Sequence, residues 1–257
     1  MCGSPSTNLL LAPDGSLFGT TEGGGPSNCG LVFQLKPQKS GALPWKFKTL
    51  ATFASEVGCT PRSALTRDDA GNLYGALFTG GAANLGAAYM LRPTSGGSYK
   101  LKTLKSFSDP NQVGSPIGDI ALDGVGAVIG AARNGGADGC GGVYRLAPPS
   151  GSGKKWKFQK VRKLAGGGEG CFPLGVARDA GSGALAVTTY QGGVFNVGAL
   201  LELTPRASGP ADYRLRLRES FGPSYNYPQG SPVWGPDGEV YGSTTDAIAI
   251  WRSSPAP

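Results

Sequence analysis

A five-residue pattern returns five times at nearly constant spacing, and this periodicity constrains the fold more than any other feature of the chain. LFGTT stands at 17–21, LYGAL at 73–77, VIGAA at 128–132, LAVTT at 185–189 and VYGST at 240–244, in steps of 56, 55, 57 and 55 residues. Two more positions keep the same register. A Gly lies four residues before the third position of each pattern (Gly15, Gly71, Gly126, Gly183, Gly238), and a Pro lies fourteen residues before it (Pro5, Pro61, Pro116, Pro173, Pro228). A period of this length marks one supersecondary unit that cannot bury both faces alone and must stack on copies of itself.

Each unit reads as four short strands. The first follows the Pro, as in Ile117–Leu122, and ends in a turn such as Pro13-Asp14-Gly15 or Pro236-Asp237-Gly238. Asp-Gly between apolar runs signals a hairpin, because Gly takes positive φ without steric penalty. The second strand is the LYGAL pattern, and a Gly pair opens the next loop (Gly24-Gly25, Gly80-Gly81, Gly135-Gly136, Gly192-Gly193). The third strand is GLVFQLKP, GAAYMLRP, GGVYRLAP and GALLELTP in units one to four. The fourth, WKFKTLATF, YKLKTLKSF, WKFQKVRKL and YRLRLRESF, alternates apolar with basic residues at its start, the period of a half-buried strand. Gly and Pro make up 44 and 20 of the 257 residues, a level that fits many tight turns when it is periodic.

Four antiparallel strands repeated five times predict an all-β, five-bladed β-propeller of about 56 residues per blade, with a three-stranded last blade. The expected organisation is one domain over 1–257, with blades at approximately 1–54, 55–108, 109–165, 166–221 and 222–252 and a tail at 253–257. Five independent domains are excluded, because a Gly-rich unit of this size makes a marginal core alone.

The units resemble the GloVer tandem repeats of bacterial choice-of-anchor surface proteins, which carry a Pro, a turn, a LYGTT-like strand, a Gly-rich loop and a TVFxLTP-like strand. The resemblance covers nearly the whole chain. It implies a propeller-like, secreted or surface-displayed protein and offers no established activity or catalytic residues to carry over. The chain departs from it in having no C-terminal anchor after Trp251 and in its unusually basic fourth strands.

Four cysteines follow the repeat. Cys29 and Cys140 occupy the loop between second and third strands of units one and three, while Cys59 and Cys171 each sit two residues before the Pro that opens the next unit. Those two places share one face of a blade, so Cys29–Cys59 and Cys140–Cys171 are expected to staple a blade to its successor. The competing reading is four buried free thiols of a cytosolic protein. A shared metal is disfavoured, since units one and three are not neighbours and a structural site needs its thiolates to converge. Two disulfides imply an oxidising compartment: extracellular, cell-surface or periplasmic. Cys2 falls near the same pre-Pro position without a partner, which suits a fragment of a longer array. Met1-Cys2-Gly3-Ser4 also fits a processed lipoprotein start. The start of the chain lacks the basic-then-apolar pattern of an export signal, so the expectation is either a chain that is not exported or a signal that lay upstream; there is no membrane-spanning apolar run and no Asn-x-Ser/Thr sequon.

Of 24 Lys and Arg, 14 lie on the fourth strands or their lead-ins, and the net charge is +7. Unit three is richest, with Lys154, Lys155, Lys157, Lys160, Arg162 and Lys163 as candidate polyanion contacts. Attraction to acidic polysaccharide or lipid phosphates is one reading; protection of an outer sheet edge is the other. Nucleic acid is the weakest version, for no exposed aromatics interleave these charges. The last unit ends on its third strand, Ala247–Trp251, an edge open to strand addition by a partner.

The chain has no His. That removes Ser-His and Cys-His pairs and every His-bearing metal site, and no nucleophile elbow or phosphate loop replaces them. No cofactor is expected. The variable loops of one face offer Glu22, Asn28, Arg133, Asn134, Asp138, Tyr190, Gln191, Tyr225, Asn226 and Tyr227 as ligand contacts, a polar and aromatic mixture suited to glycan or peptide. The expected function is a non-catalytic secreted or surface-displayed module that binds protein or acidic glycan, or scaffolds them. The alternative is a polysaccharide hydrolase or lyase using loop-face carboxylates such as Glu22, Glu56, Asp138 and Glu169.

Overall fold

The computed structural model describes residues 4–5, 7–38, 45–136, 138–150, 155–222, 227–245 and 250–253. The chain is a five-bladed β-propeller and divides into two compact units, Met1–Ser108 and Asp109–Pro257. Cys2, Lys154, Tyr225, Asn226 and the start of the Ala247–Trp251 segment lie outside the described residues.

The first unit holds two blades. Blade 1 is β1 (Leu10–Leu11), β2 (Leu17–Thr21), β3 (Leu31–Lys36) and β4 (Lys46–Thr52), antiparallel in chain order. Blade 2 is β5 (Cys59–Pro61) and β6 (Thr66–Arg67), both paired with β7 (Leu73–Thr79), followed by β8 (Ala87–Pro93) and β9 (Tyr99–Ser106). Phe18, Val32, Phe53, Leu73, Leu77, Tyr89 and Leu91 form their common core, with the Phe53 and Tyr89 rings 4.8 Å apart.

The second unit holds three. Blade 3 is β10 (Val113–Leu122), β11 (Val128–Gly135), β12 (Gly142–Ala147) and β13 (Lys157–Lys163). A short 3-10 turn, Gly167–Glu169, leads into blade 4: β14 (Cys171–Arg178), β15 (Leu185–Gln191), β16 (Ala199–Pro205) and β17 (Tyr213–Ser220). Blade 5 is β18 (Pro228–Trp234), β19 (Val240–Thr244) and β20 (Ile250–Ser253), so its last strand runs two residues past Trp251. The first strands are innermost and touch neighbouring blades: Ser231 Oγ on β18 accepts the Asp119 N–H of β10 at 2.7 Å, and Thr188 Oγ1 on the second strand of blade 4 donates to Gly230 O on β18 at 2.8 Å.

In blades 2 to 5 the opening Pro lies within a strand or at one end of it rather than ahead of it, and the residue before it turns back on itself. Thr60, Ser115, Phe172 and Tyr227 all have φ between 49° and 59°, although such values are uncommon for residues with a Cβ. Proline crowds the residue before it out of the right-handed helical region. The corner is held from the preceding blade: the N–H groups of Thr60, Phe172 and Tyr227 donate to the carbonyls of Cys29, Cys140 and Val197 at 3.0, 3.0 and 2.9 Å. The two disulfides, Cys29–Cys59 and Cys140–Cys171, brace the first two of these corners.

A second irregularity recurs between the third and fourth strands. Each ladder slips by one residue, at Val32/Phe33, Ala88/Tyr89, Val143/Tyr144 and Leu200/Leu201. The extra residue of the bulge is Leu50, Leu104, Val161 and, in blade 4, Arg218. The Arg218 side chain is 2% exposed, pairs with Glu202 at 3.1 Å and lies 5.0 Å over the Trp234 ring. Alternation predicts Arg218 on the outer surface; the bulge adds a residue and turns it inward.

Tyr89 is fully buried, its hydroxyl has no hydrogen-bond partner among the described residues, and burial pushes its phenol pKa up. Blade 1 holds Phe33 at the same register position. Tyr89→Phe is therefore expected to raise stability by about 1 kcal/mol, since it deletes an unpaired buried hydroxyl and keeps the ring. Urea denaturation checks this, and a loss of stability would mean that the hydroxyl has a partner.

Candidate functional site

Two columns of the repeat meet on the loop-bearing face. One is the exit of the second strand: Glu22, Phe78, Arg133, Tyr190 and Thr245. The other is the pre-Pro corner: Thr60, Ser115, Phe172 and Tyr227. The left-handed corner aims its side chain away from the sheet, toward the strand exits beside it.

In the second unit these columns assemble a cluster. The Arg133 guanidinium sits 5.6 Å from the Phe172 ring centre and 5.5 Å from that of Tyr190. The Tyr190 and Tyr227 rings lie 5.1 Å apart at 31°. Such cation–π contacts are worth about 0.5–1 kcal/mol at partly exposed positions. Thr245 fixes the Tyr227 backbone, its N–H and Oγ1 donating to Tyr227 O at 3.1 and 2.9 Å, and Gln229 Nε2 donates to Thr245 Oγ1 at 3.0 Å. No carboxylate pairs with Arg133 among the described residues.

The first unit fills the same columns differently. Arg62, just after its pre-Pro corner, donates to both oxygens of Glu22 at 3.3 and 3.4 Å and lies 4.8 Å over the Phe78 ring. Its cation is neutralised where that of Arg133 is not.

The remaining candidates are placed as follows. Asn28 Oδ1 accepts the Gly24 N–H at 2.8 Å and holds its own loop, as Asn84 and Asn196 do in blades 2 and 4. Asn134 is half-buried at the end of β11, Gln191 closes β15, and Asp138 and Glu56 are exposed. Glu169 pairs with Arg162, and Lys163 donates to Asn111 O, so two of the six basic candidates are engaged. Lys155, Lys157 and Lys160 are exposed along the outer edge of blade 3. Among the described residues no group of three or more Cys, Asp or Glu side chains gathers to hold a metal ion. Phe172 and Phe78 carry their signal in the sequence only as members of the two columns, and Arg62 only as the residue that follows the opening Pro of blade 2.

Solved structures share the fold. A crystal structure of glucose dehydrogenase matches 97% of this chain and 82% of its own, with TM-score 0.59 and 16% identity. A second glucose dehydrogenase matches 97% of this chain and 81% of its own, at TM-score 0.53 and 16% identity. A protein of unknown function from Dyadobacter fermentans DSM 18053 matches 95% and 73%, at 0.54 and 14%. Likeness at these identities shows the fold alone. No curated protein matches the sequence.

These comparisons correct the expectation of a non-catalytic binding or scaffold module. The similar structures include enzymes by name, and that expectation rested on missing motifs. Motifs tied to one fold do not transfer to a propeller, whose loops can carry binding or chemistry on the same rigid frame. The model of the Gloeobacter/Verrucomicrobia repeat matches residues 4–250, and the chain belongs to that family.

Proposed function

We propose that the chain is an exported enzyme acting on acidic polysaccharide, a lyase in preference to a hydrolase, working on the loop face of blades 3 to 5. The observation that carries this reading is the Arg133 guanidinium, held between Phe172 and Tyr190 with no carboxylate partner among the described residues. A planar cation flanked by aromatic rings suits a uronate residue, whose carboxylate takes the guanidinium fork while its apolar ring face packs on an aromatic. Two of the similar structures bear the name of an enzyme acting on a sugar, which supports carbohydrate as the substrate class.

Hydrolysis asks for two carboxylates flanking the bond. Of the four loop-face candidates, Glu22 is bound by Arg62 and Glu169 by Arg162. Elimination asks for less. Arg133 neutralises the uronate carboxylate, which lets the proton on the neighbouring ring carbon leave. A phenol beside it, Tyr190 or Tyr227, takes that proton in its ionised form, and the other donates one to the departing glycosidic oxygen. The carbon–oxygen bond breaks as the ring double bond forms. The exposed basic residues of the fourth strands attract the polyanion, so the rate should fall with salt. The two disulfides support an exported location, and no helix among the described residues is long and apolar enough to cross a membrane.

The test is a panel of uronate-containing and neutral polysaccharides, read for reducing ends and for the near-ultraviolet absorbance of an unsaturated uronate end. Both signals should rise together on uronate polymers only. Reducing ends without the unsaturated product, or no turnover of any uronate polymer, would overturn the reading.

A further inference from the structure

A cavity of about 340 Å³ lies at the junction of blades 1 and 2 in the first unit. Its apolar walls are Phe18, Tyr99 and Pro93, and its polar lining includes Gln34, Lys36 and Arg67. Phe18 and Tyr99 meet edge to face, with ring centres 6.3 Å apart. The volume is at the small end of ligand pockets, which run from about 300 Å³.

The chain contains its own control for this space. At the junction of blades 3 and 4 the frame is the same. A Cβ built on Gly71 would lie 3.2 Å from the Arg67 guanidinium and 3.6 Å from Pro93; one built on Gly183 would lie 3.2 Å from that of Arg178 and 3.7 Å from Pro205. In blade 3, however, Arg145 stands in the register position of Gln34, opposite Ile129 as Gln34 is opposite Phe18. Arg145 is 3% exposed, and its Nε and Nη2 donate to Asp123 at 2.9 and 2.6 Å. Blade 1 has Ala12 where blade 3 has Asp123, and Ala12 also lines the cavity. Two substitutions, Arg to Gln and Asp to Ala, leave the net charge unchanged and take away the pair that fills the equivalent junction.

What remains is cationic. Arg67 is half-buried, its backbone pairs with Leu73, and its guanidinium makes no hydrogen bond or ion pair with a described residue. Lys36 lines the same cavity and lies near enough to the one lining carboxylate, Asp14, to favour its charged form, and Asp14 also accepts from the N–H and Oγ of Ser16 at 3.0 and 3.1 Å. A partly desolvated guanidinium without an anion is costly, and a carboxylate satisfies it through two parallel hydrogen bonds.

We propose that this junction cavity is a binding site for a small organic carboxylate with one flat apolar face, the carboxylate on Arg67 and the face against Phe18 and Tyr99. The inference is independent of the reading of the loop face. The test is calorimetric titration of the whole chain with benzoate and with glucuronate, and with benzyl alcohol and glucose as uncharged counterparts. Benzoate, glucuronate or both should bind saturably, and the uncharged probes should not. The double substitution Ala12→Asp/Gln34→Arg, which rebuilds the filling seen in blade 3, should weaken that binding at least about tenfold while the protein stays folded. Arg67→Met should do the same for benzoate, and Arg133→Ala should leave the benzoate binding unchanged; any glucuronate binding lost in Arg133→Ala belongs to the loop face. Absence of binding by both carboxylates, benzoate binding that survives the rebuilt junction, or benzoate binding that is lost in Arg133→Ala would each overturn the proposal.

Discussion

Gly130→Val is expected to destabilise the protein by about 3 kcal/mol or more, and adding Tyr144→Leu is expected to restore most of the loss. A Cβ at Gly130 would overlap the phenol of Tyr144, which is fully buried. The same glycine–aromatic pairing occurs at Gly19–Phe33, Gly75–Tyr89 and Gly242–Trp251, each a directly opposed pair on neighbouring strands. Blade 4 solves the same packing problem in reverse, with Val187 facing Leu201 and both fully buried. The repeat therefore fills this space either with one large aromatic opposite Gly or with two aliphatic side chains, and the double variant transplants blade 4's solution into blade 3. Denaturant unfolding of the two single variants and the double gives the coupling energy. Additive losses in the double variant would mean that the pair does not share one space.

Removing the Cys140–Cys171 bridge, by Cys140→Ser with Cys171→Ser or by reductant, is expected to cost roughly 3–4 kcal/mol, the chain-entropy value for a loop of this length. The separation is 31 residues. The bridge ties blade 3 to the corner that presents Phe172, so its loss should also loosen the cation–π contact at Arg133. The junction of blades 4 and 5 keeps the same backbone hydrogen bond at Val197 without a disulfide. The frame therefore persists without the bridge, and the loss should appear as a lower unfolding midpoint with native-like circular dichroism. An unchanged midpoint under reductant would show that the bridges add nothing and remove the argument for an oxidising compartment.

The blades and both disulfides were legible because the repeat states each constraint several times over: Pro, turn Gly, Gly pair and Cys recur in register. What a single pass along the strands hid were places where the backbone breaks that period. Alternation put Arg218 on the surface, but the bulge that holds Leu50, Leu104 and Val161 in other blades turns it inward onto Glu202. Phe172 escaped notice because a residue before Pro reads as extended chain, whereas here it is left-handed and faces Arg133. The junction cavity is visible only when Ala12 and Gln34 are read against Asp123 and Arg145, a comparison between copies rather than along the chain.

The central claim is that Arg133 neutralises an acidic sugar on the loop face. The most direct measurement compares kcat/KM on the best uronate polymer for the wild type, Arg133→Ala and Arg62→Ala. Arg62 is the corresponding cation of the first unit, already neutralised by Glu22. Loss of one preorganised electrostatic contact typically lowers turnover by about 100-fold or more, and that is the result expected for Arg133→Ala, with Arg62→Ala within about twofold of wild type. Unchanged turnover in Arg133→Ala, or an equal fall in both variants, would contradict the account.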